Sequence, residues 1–157
     1  MPAWLTDWQI AEDHVLVELG DVVNWTVYPA DAEWIRRLFG GHLALEWQYD
    51  TYGGGVVQAS RRVQGRVSAV RSVRCRQMQS DEGIVPVPGA ARLCEVEDTS
   101  ASWVRGVGPS RSDDGVNHGW RSYSSSFDGA STEVLYGYVV TIDQVWGDAT
   151  SSRFSSP

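Results

Sequence analysis

The residues of this chain that could do chemistry are three histidines, two cysteines and a block of arginines. The histidines stand far apart, at His14, His42 and His118, so no two have the close spacing of a zinc-protease pair. His14 follows Glu12 and Asp13, which would suit a carboxylate-held imidazole; its plainer reading is a surface residue at the start of a strand. His42 comes just after a helix end, where the dipole favours a protonated ring. His118 lies near Asp113 and Asp114, but those carboxylates lack calcium-loop spacing. Cys75 and Cys94 have no metal-ligand spacing and are expected to be reduced and packed in the core. The chain has no nucleophile elbow, phosphate-binding loop or dinucleotide fingerprint. It therefore nominates no catalytic residue, no metal ligand and no cofactor. A pair assembled from distant segments is a spatial matter that sequence does not reach.

The arginines carry more information. Lysine is absent, and residues 51–80 hold six arginines with no carboxylate. Residues 1–50 hold nine carboxylates against two arginines, and residues 81–157 eleven against five. The net charge of −7 works against general nucleic-acid binding, because most of the surface would repel phosphates. Within the basic block Arg66, Arg74 and Arg76 share one parity, so they project from one side of a strand unless a bulge intervenes. They could pair with Glu95, Glu97 or the acidic N-terminal third. Alternatively they could line a single-strand track, with Trp47 and Trp120 as stacking partners. The pairing use is the one expected. Eight tryptophans are spread from Trp4 to Trp146, a distribution that suits one extended core better than one local site.

The elements that must position these residues are mainly strands. Val15, Val17 and Leu19 alternate, as do Val23, Trp25 and Val27 beyond the Gly20-Asp21 turn, predicting strands over 15–19 and 22–28. Asp31 can cap a helix over 31–39, with Trp34, Ile35, Leu38 and Phe39 at helical spacing and Gly40-Gly41 closing it. Leu43, Leu45, Trp47 and Tyr49 alternate with polar residues, predicting a strand over 43–49. From Val63 to Gln77 one parity is apolar or small and the other basic and polar. Residues 79–89 read as a loop, since Pro86 and Pro88 forbid a central strand. Short and long strands follow at 91–96 and 133–146. Residues 106–132, rich in Gly, Ser and Asp, read as a flexible loop, and 147–157 as a disordered tail. The domain organisation expected is one β-rich domain over 1–146.

A template recurs. Gly20 to Tyr28, Gly65 to Val73 and Gly137 to Val145 all read Gly-x-Val-x-x-apolar-x-x-apolar. That spacing breaks alternation after the Val, as a bulge or strong bend would. Strands bent in this way close small barrels. The fold class expected is mainly β: a small, strongly bent antiparallel sheet or barrel with one short helix.

The run Trp4-Leu-Thr-Asp7-Trp8-Gln9 followed by Leu19-Gly20-Asp21-Val22-Val23-Asn24-Trp25 resembles a family of small actinobacterial proteins, domain of unknown function family 6578. Gly65-Arg66-Val67 through Val73-Arg74-Cys75, Val85-Pro86-Val87-Pro88-Gly89 and Gly137-Tyr138-Val139-Val140 fit it as well. Members usually run the Asp-Trp-Gln sequence into a segment with cysteines, where this chain has Ile10-Ala11-Glu12-Asp13-His14. The resemblance implies a small actinobacterial cytoplasmic protein and implies no activity.

No apolar run approaches the ~20 residues of a membrane span, and Met1 to Ile10 lacks a basic, apolar leader. The expectation is a cytoplasmic protein with no membrane association. The function expected is a non-enzymatic protein-binding module. Acidic immunity proteins and antitoxins that bind basic targets are the analogy. The alternatives are a single-strand nucleic-acid-binding barrel, or an enzyme or small-ligand barrel with its site at the mouth.

Overall fold

The computed structural model describes residues 1–49, 60–102 and 133–144. In chain order its elements are β1 (Pro2–Thr6), α1 (Asp7–Glu12), β2 (Val22–Pro29), α2 (Ala32–Phe39), β3 (Trp47–Tyr49), β4 (Arg61–Ser80), β5 (Gly83–Pro86), β6 (Arg92–Val96), a 3-10 turn at Ser100–Ser102 and β7 (Glu133–Gln144). The expectations for Trp120, for the 106–132 loop and for the tail fall outside the described residues.

The seven strands among the described residues belong to one sheet, and its order β2-β3-β1-β7-β4 closes on itself because β2 also pairs with β4. The result is ring-like without being a regular barrel. β4 is its spine. One edge pairs first with β2, from Arg61 opposite Val27 to Arg66 opposite Val22. The same strand then pairs with β6, from Val70 opposite Val96 to Arg74 opposite Arg92, and at its tip with β5. β7 also runs along β4, from Gly65 opposite Gln144 to Arg76 opposite Glu133. One ladder departs from the antiparallel expectation: β1 and β3 run parallel.

Two register shifts let so long a strand curl. Val67 faces Ile142 and Ala69 faces Thr141, leaving Ser68 as an extra residue on β4. Val73 then faces Gly137 and Arg74 faces Leu135, so Tyr136 is extra on β7. Parity flips at each. Val63 and Val67 before the first bulge and Val70 after it all enter the interior cluster, while Val73 and Cys75 join a second cluster on the outside. Of the three copies of the template only the one at Gly65 has a bulge after its Val, between Val67 and Ala69; in β7 the extra residue, Tyr136, precedes Gly137. In β2, by contrast, Val23, Trp25 and Val27 are buried in plain alternation. Gly65 and Gly137 serve close approach: a Cβ at either would overlap a backbone carbonyl, of Asp143 and of Leu5 respectively.

The interior is filled by Ala3, Leu5, Val27, Tyr138, Val140 and Ile142 with their neighbours. The outer cluster is covered by α2, whose Ile35, Leu38 and Phe39 meet Trp4, Val139, Val73 and Cys75. Trp4 and Phe39 pack edge to face at 6.4 Å, a favoured aromatic geometry. Asp31 caps α2, accepting from the Glu33 and Trp34 amides at 2.9 and 3.0 Å. Gly40 closes it, donating to the Arg36 carbonyl.

Several expectations need correction. Residues 15–17 form no strand; Val17 is buried, but its amide bonds to the Thr99 hydroxyl rather than to a ladder. The strand expected over 43–49 is confined to Trp47–Tyr49, because Leu45 is drawn into the outer cluster before pairing begins. Residues 79–89 include the β4–β5 hairpin. Pro86 is tolerated there because β5 is an edge strand, where the missing amide proton removes no central bond. β1 and α1 were not expected at all.

Candidate functional site

The most connected polar group in the interior centres on Tyr138, which is fully buried. Its hydroxyl donates to the Thr99 carbonyl at 3.0 Å and accepts from the Ser102 amide at 3.0 Å. The Ser102 hydroxyl lies 3.1 Å from it and donates to the Asp7 carboxylate at the start of α1. Thr99 accepts from the Val17 amide at 3.0 Å and donates to the Val15 carbonyl. Burial pushes the Tyr138 phenol above its usual range, and the Asp7 charge adds to that; the Ser102 hydrogen bond and the Arg74 charge pull the other way. Ser102 has the Asp7 carboxylate beside it and is itself buried. The group acts as a clamp joining α1, the 3-10 turn and β7. A hollow lined by Leu5, Thr6, Gln9, Ile10, Val15 and Tyr49 has, among the described residues, no room for a water molecule.

The three arginines singled out by parity do not share a face. The Ser68 bulge leaves Arg66 on the outside, where its guanidinium donates to the Gly20 carbonyl at 2.7 Å and its strand neighbour is Asp143. Arg74 and Arg76 lie beyond the bulge on the side that includes Leu135, so they continue the interior face past the ring. Glu95 sits opposite Arg71 instead. Among the described residues no carboxylate lies within salt-bridge distance of Arg66, Arg74 or Arg76; ion pairs do join Arg37 to Glu82 at 3.2 Å and Arg92 to Glu133 at 3.3 Å. Trp47 packs half-buried against the interior cluster, with the Arg61 guanidinium 5.9 Å above its ring. Cys75 lies on the outer face, whereas Cys94 pairs with Ser72 on the other; both are free thiols. Burial pushes the Cys75 thiol up, which suits packing rather than reactivity.

A third feature was missed in the sequence. Leu16, Leu19 and Val22 are 42, 56 and 63 % exposed. The segment that presents them is tied down by Leu19 N to Glu97 O at 2.8 Å, Gly20 N to Val67 O at 2.9 Å and Glu18 N to the Asp21 carboxylate at 2.9 Å. Its alternation looked like a strand, which would have buried Leu19. Exposed Glu18 and Glu97 flank it. Arg92 was also missed, because its position opposite Arg74 depends on register.

No cluster of three or more metal-ligating side chains occurs among the described residues, and no helix there is long and apolar enough to cross a membrane. The profile of a family of unknown function, DUF6578, matches residues 1–144. The chain belongs to that family, as the Asp-Trp-Gln and Gly-Asp-Val-Val-Asn-Trp runs suggested. No curated protein and no solved structure matches it.

Proposed function

We propose that this chain is a non-enzymatic protein-binding module whose partner presents a basic surface with apolar side chains. The role is analogous to that of an immunity protein or antitoxin held against a basic target. The observation that carries the reading is the exposure of Leu16, Leu19 and Val22 on a hydrogen-bonded segment flanked by Glu18 and Glu97. Exposed aliphatic side chains close together in sequence on fixed backbone, with charged neighbours, are a feature of interface centres. A fixed backbone loses little entropy on association. The rim is mixed, with Arg66 beside Val22 and Gly20, but Glu18 and Glu97, in a chain with nine carboxylates over residues 1–50, leave it net acidic, which speeds encounter with a basic partner and disfavours acidic ones.

The test is affinity purification from the native host with the parent protein and with a Leu16→Gln, Leu19→Gln variant, each with and without nuclease. The expected result is a basic protein retained by the parent, insensitive to nuclease, weakened by added salt and lost by the variant. Equal retention by parent and variant, or retention abolished by nuclease, would remove the basis of this reading.

A further inference from the structure

Arg74 and Arg92 are directly opposite each other on β4 and β6. Neighbours in that position have Cβ atoms roughly 5 Å apart, and like charges there destabilise a sheet. Arg76 lies two residues along the same face, opposite Glu133. The one carboxylate in the group, Glu133, is engaged by Arg92 at 3.3 Å. Arg74 is half-buried between Arg92 and Leu135, yet it makes no hydrogen bond or ion pair with any described residue. A guanidinium offers five donors in a planar fork, and a partly desolvated one without an acceptor is costly. Among the described residues three guanidiniums, of which Arg76 and Arg92 are exposed, stand against the Glu133 carboxylate, while the Asp7 charge reaches the buried Tyr138 phenol that the Arg74 charge also reaches; a local excess of positive charge remains on this face. The excess sits beside Leu135 and the buried Ser72. This combination is unfavourable for the isolated chain and favourable for a bound anion with several oxygens.

We infer that Arg74, Arg76 and Arg92 form a binding site for a dianionic phosphate group carried by a small molecule, with Arg74 as the inner ligand. A phosphate monoester or pyrophosphate matches the chemistry, because its oxygens accept from guanidinium forks in pairs. Glu133 orients Arg92 and keeps the site from drawing in acidic protein surfaces indiscriminately. Arg66 takes no part, since the Ser68 bulge turns it to the other face and it is held by Gly20. A phosphodiester strand would need a longer basic track than these residues provide.

The experiment is isothermal titration of the full chain at low ionic strength with inorganic phosphate, inorganic pyrophosphate, adenosine monophosphate and octathymidylate, paired with thermal melts. Arg74→Gln, Arg92→Gln and the control Arg62→Gln are compared with the parent. The parent should bind one pyrophosphate per chain, with inorganic phosphate weaker. Arg74→Gln should weaken pyrophosphate binding by about tenfold or more, as loss of a charged hydrogen-bond donor does, while Arg62→Gln leaves it unchanged. In anion-free buffer Arg74→Gln should raise the melting temperature by up to about 4 °C, because a like-charge pair is relieved. Pyrophosphate should then stabilise the parent and not the variant. Adenosine monophosphate binding more tightly than inorganic phosphate would assign the group to a nucleotide; equal binding would assign it to free phosphate. Absence of saturable binding overturns the site, as does equal loss in the control or a lower melting temperature for Arg74→Gln. Tighter binding of octathymidylate, lost equally with Arg62→Gln, replaces it with a nucleic-acid track.

Discussion

Replacing Tyr138 by phenylalanine removes one oxygen atom from the fully buried clamp and leaves the ring in place. The swap preserves volume, so no cavity contribution arises. The lost hydroxyl donated to Thr99 O and accepted from Ser102 N, each at 3.0 Å. Thr99 O keeps a longer bond from Ser102 N at 3.3 Å, and the Ser102 hydroxyl keeps Asp7. One to two buried groups therefore lose their best partner. At about 1–3 kcal/mol each, the cost is about 1–6 kcal/mol, a sizeable part of a typical total of roughly 5–15 kcal/mol. Urea unfolding reads this as a lower midpoint with an unchanged slope. A double-mutant cycle with Ser102→Ala should give a coupling of about 0.5–3 kcal/mol. A loss under about 0.5 kcal/mol, or no coupling, would refute the view that these hydroxyls clamp α1 to the sheet.

Burial raises the pKa of Tyr49, Tyr136 and Tyr138 above 10.0, so the folded state holds those protons longer than the unfolded one. Stability should be intact below about pH 10 and fall as pH rises beyond it, and Tyr138→Phe should show a shallower alkaline decline in unfolding free energy. Val139→Asp and Ile142→Asp place an unpaired carboxylate at 2 % and 0 % exposure, at a cost of several kcal/mol; both should fail to express in soluble form, which fractionated lysates would show. Gly65→Ala forces a methyl group into the Asp143 carbonyl and should lower the melting temperature by several degrees, whereas Gly41→Ala, with open space around it, should leave the melt within about 2 °C.

Sequence disclosed most where one side of an element faces the core and the other faces water. β2 and α2 satisfy that condition, and their boundaries were legible to within a residue or so. β1 does not: Ala3 and Leu5 enter the interior while Trp4 enters the outer cluster, so no period exists to detect. The 15–19 segment shows the reverse failure, since alternation of Val15, Val17 and Leu19 there accompanies side-chain and loop hydrogen bonds rather than a ladder. The arginine grouping failed for a third reason. A single extra residue, Ser68, inverts parity, and neither a bulge position nor the β6 register that brings Arg92 to Arg74 is written in local pattern.

The pairing of β1 with β7 has a consequence for synthesis on the ribosome. Trp4 pairs with Val139, so the first strand made waits for about 135 more residues before that edge is satisfied. At roughly 5–20 residues per second this is a delay on the order of ten seconds or more. Through that interval Ala3, Trp4 and Leu5, which end up almost wholly buried, lack their β7 partner. The nascent chain thus has a window in which a chaperone would have a hydrophobic handle at β1, and in which crowding of polysomes would favour pairing between neighbouring copies. A circular permutant that places β1 after β7 would shorten that window.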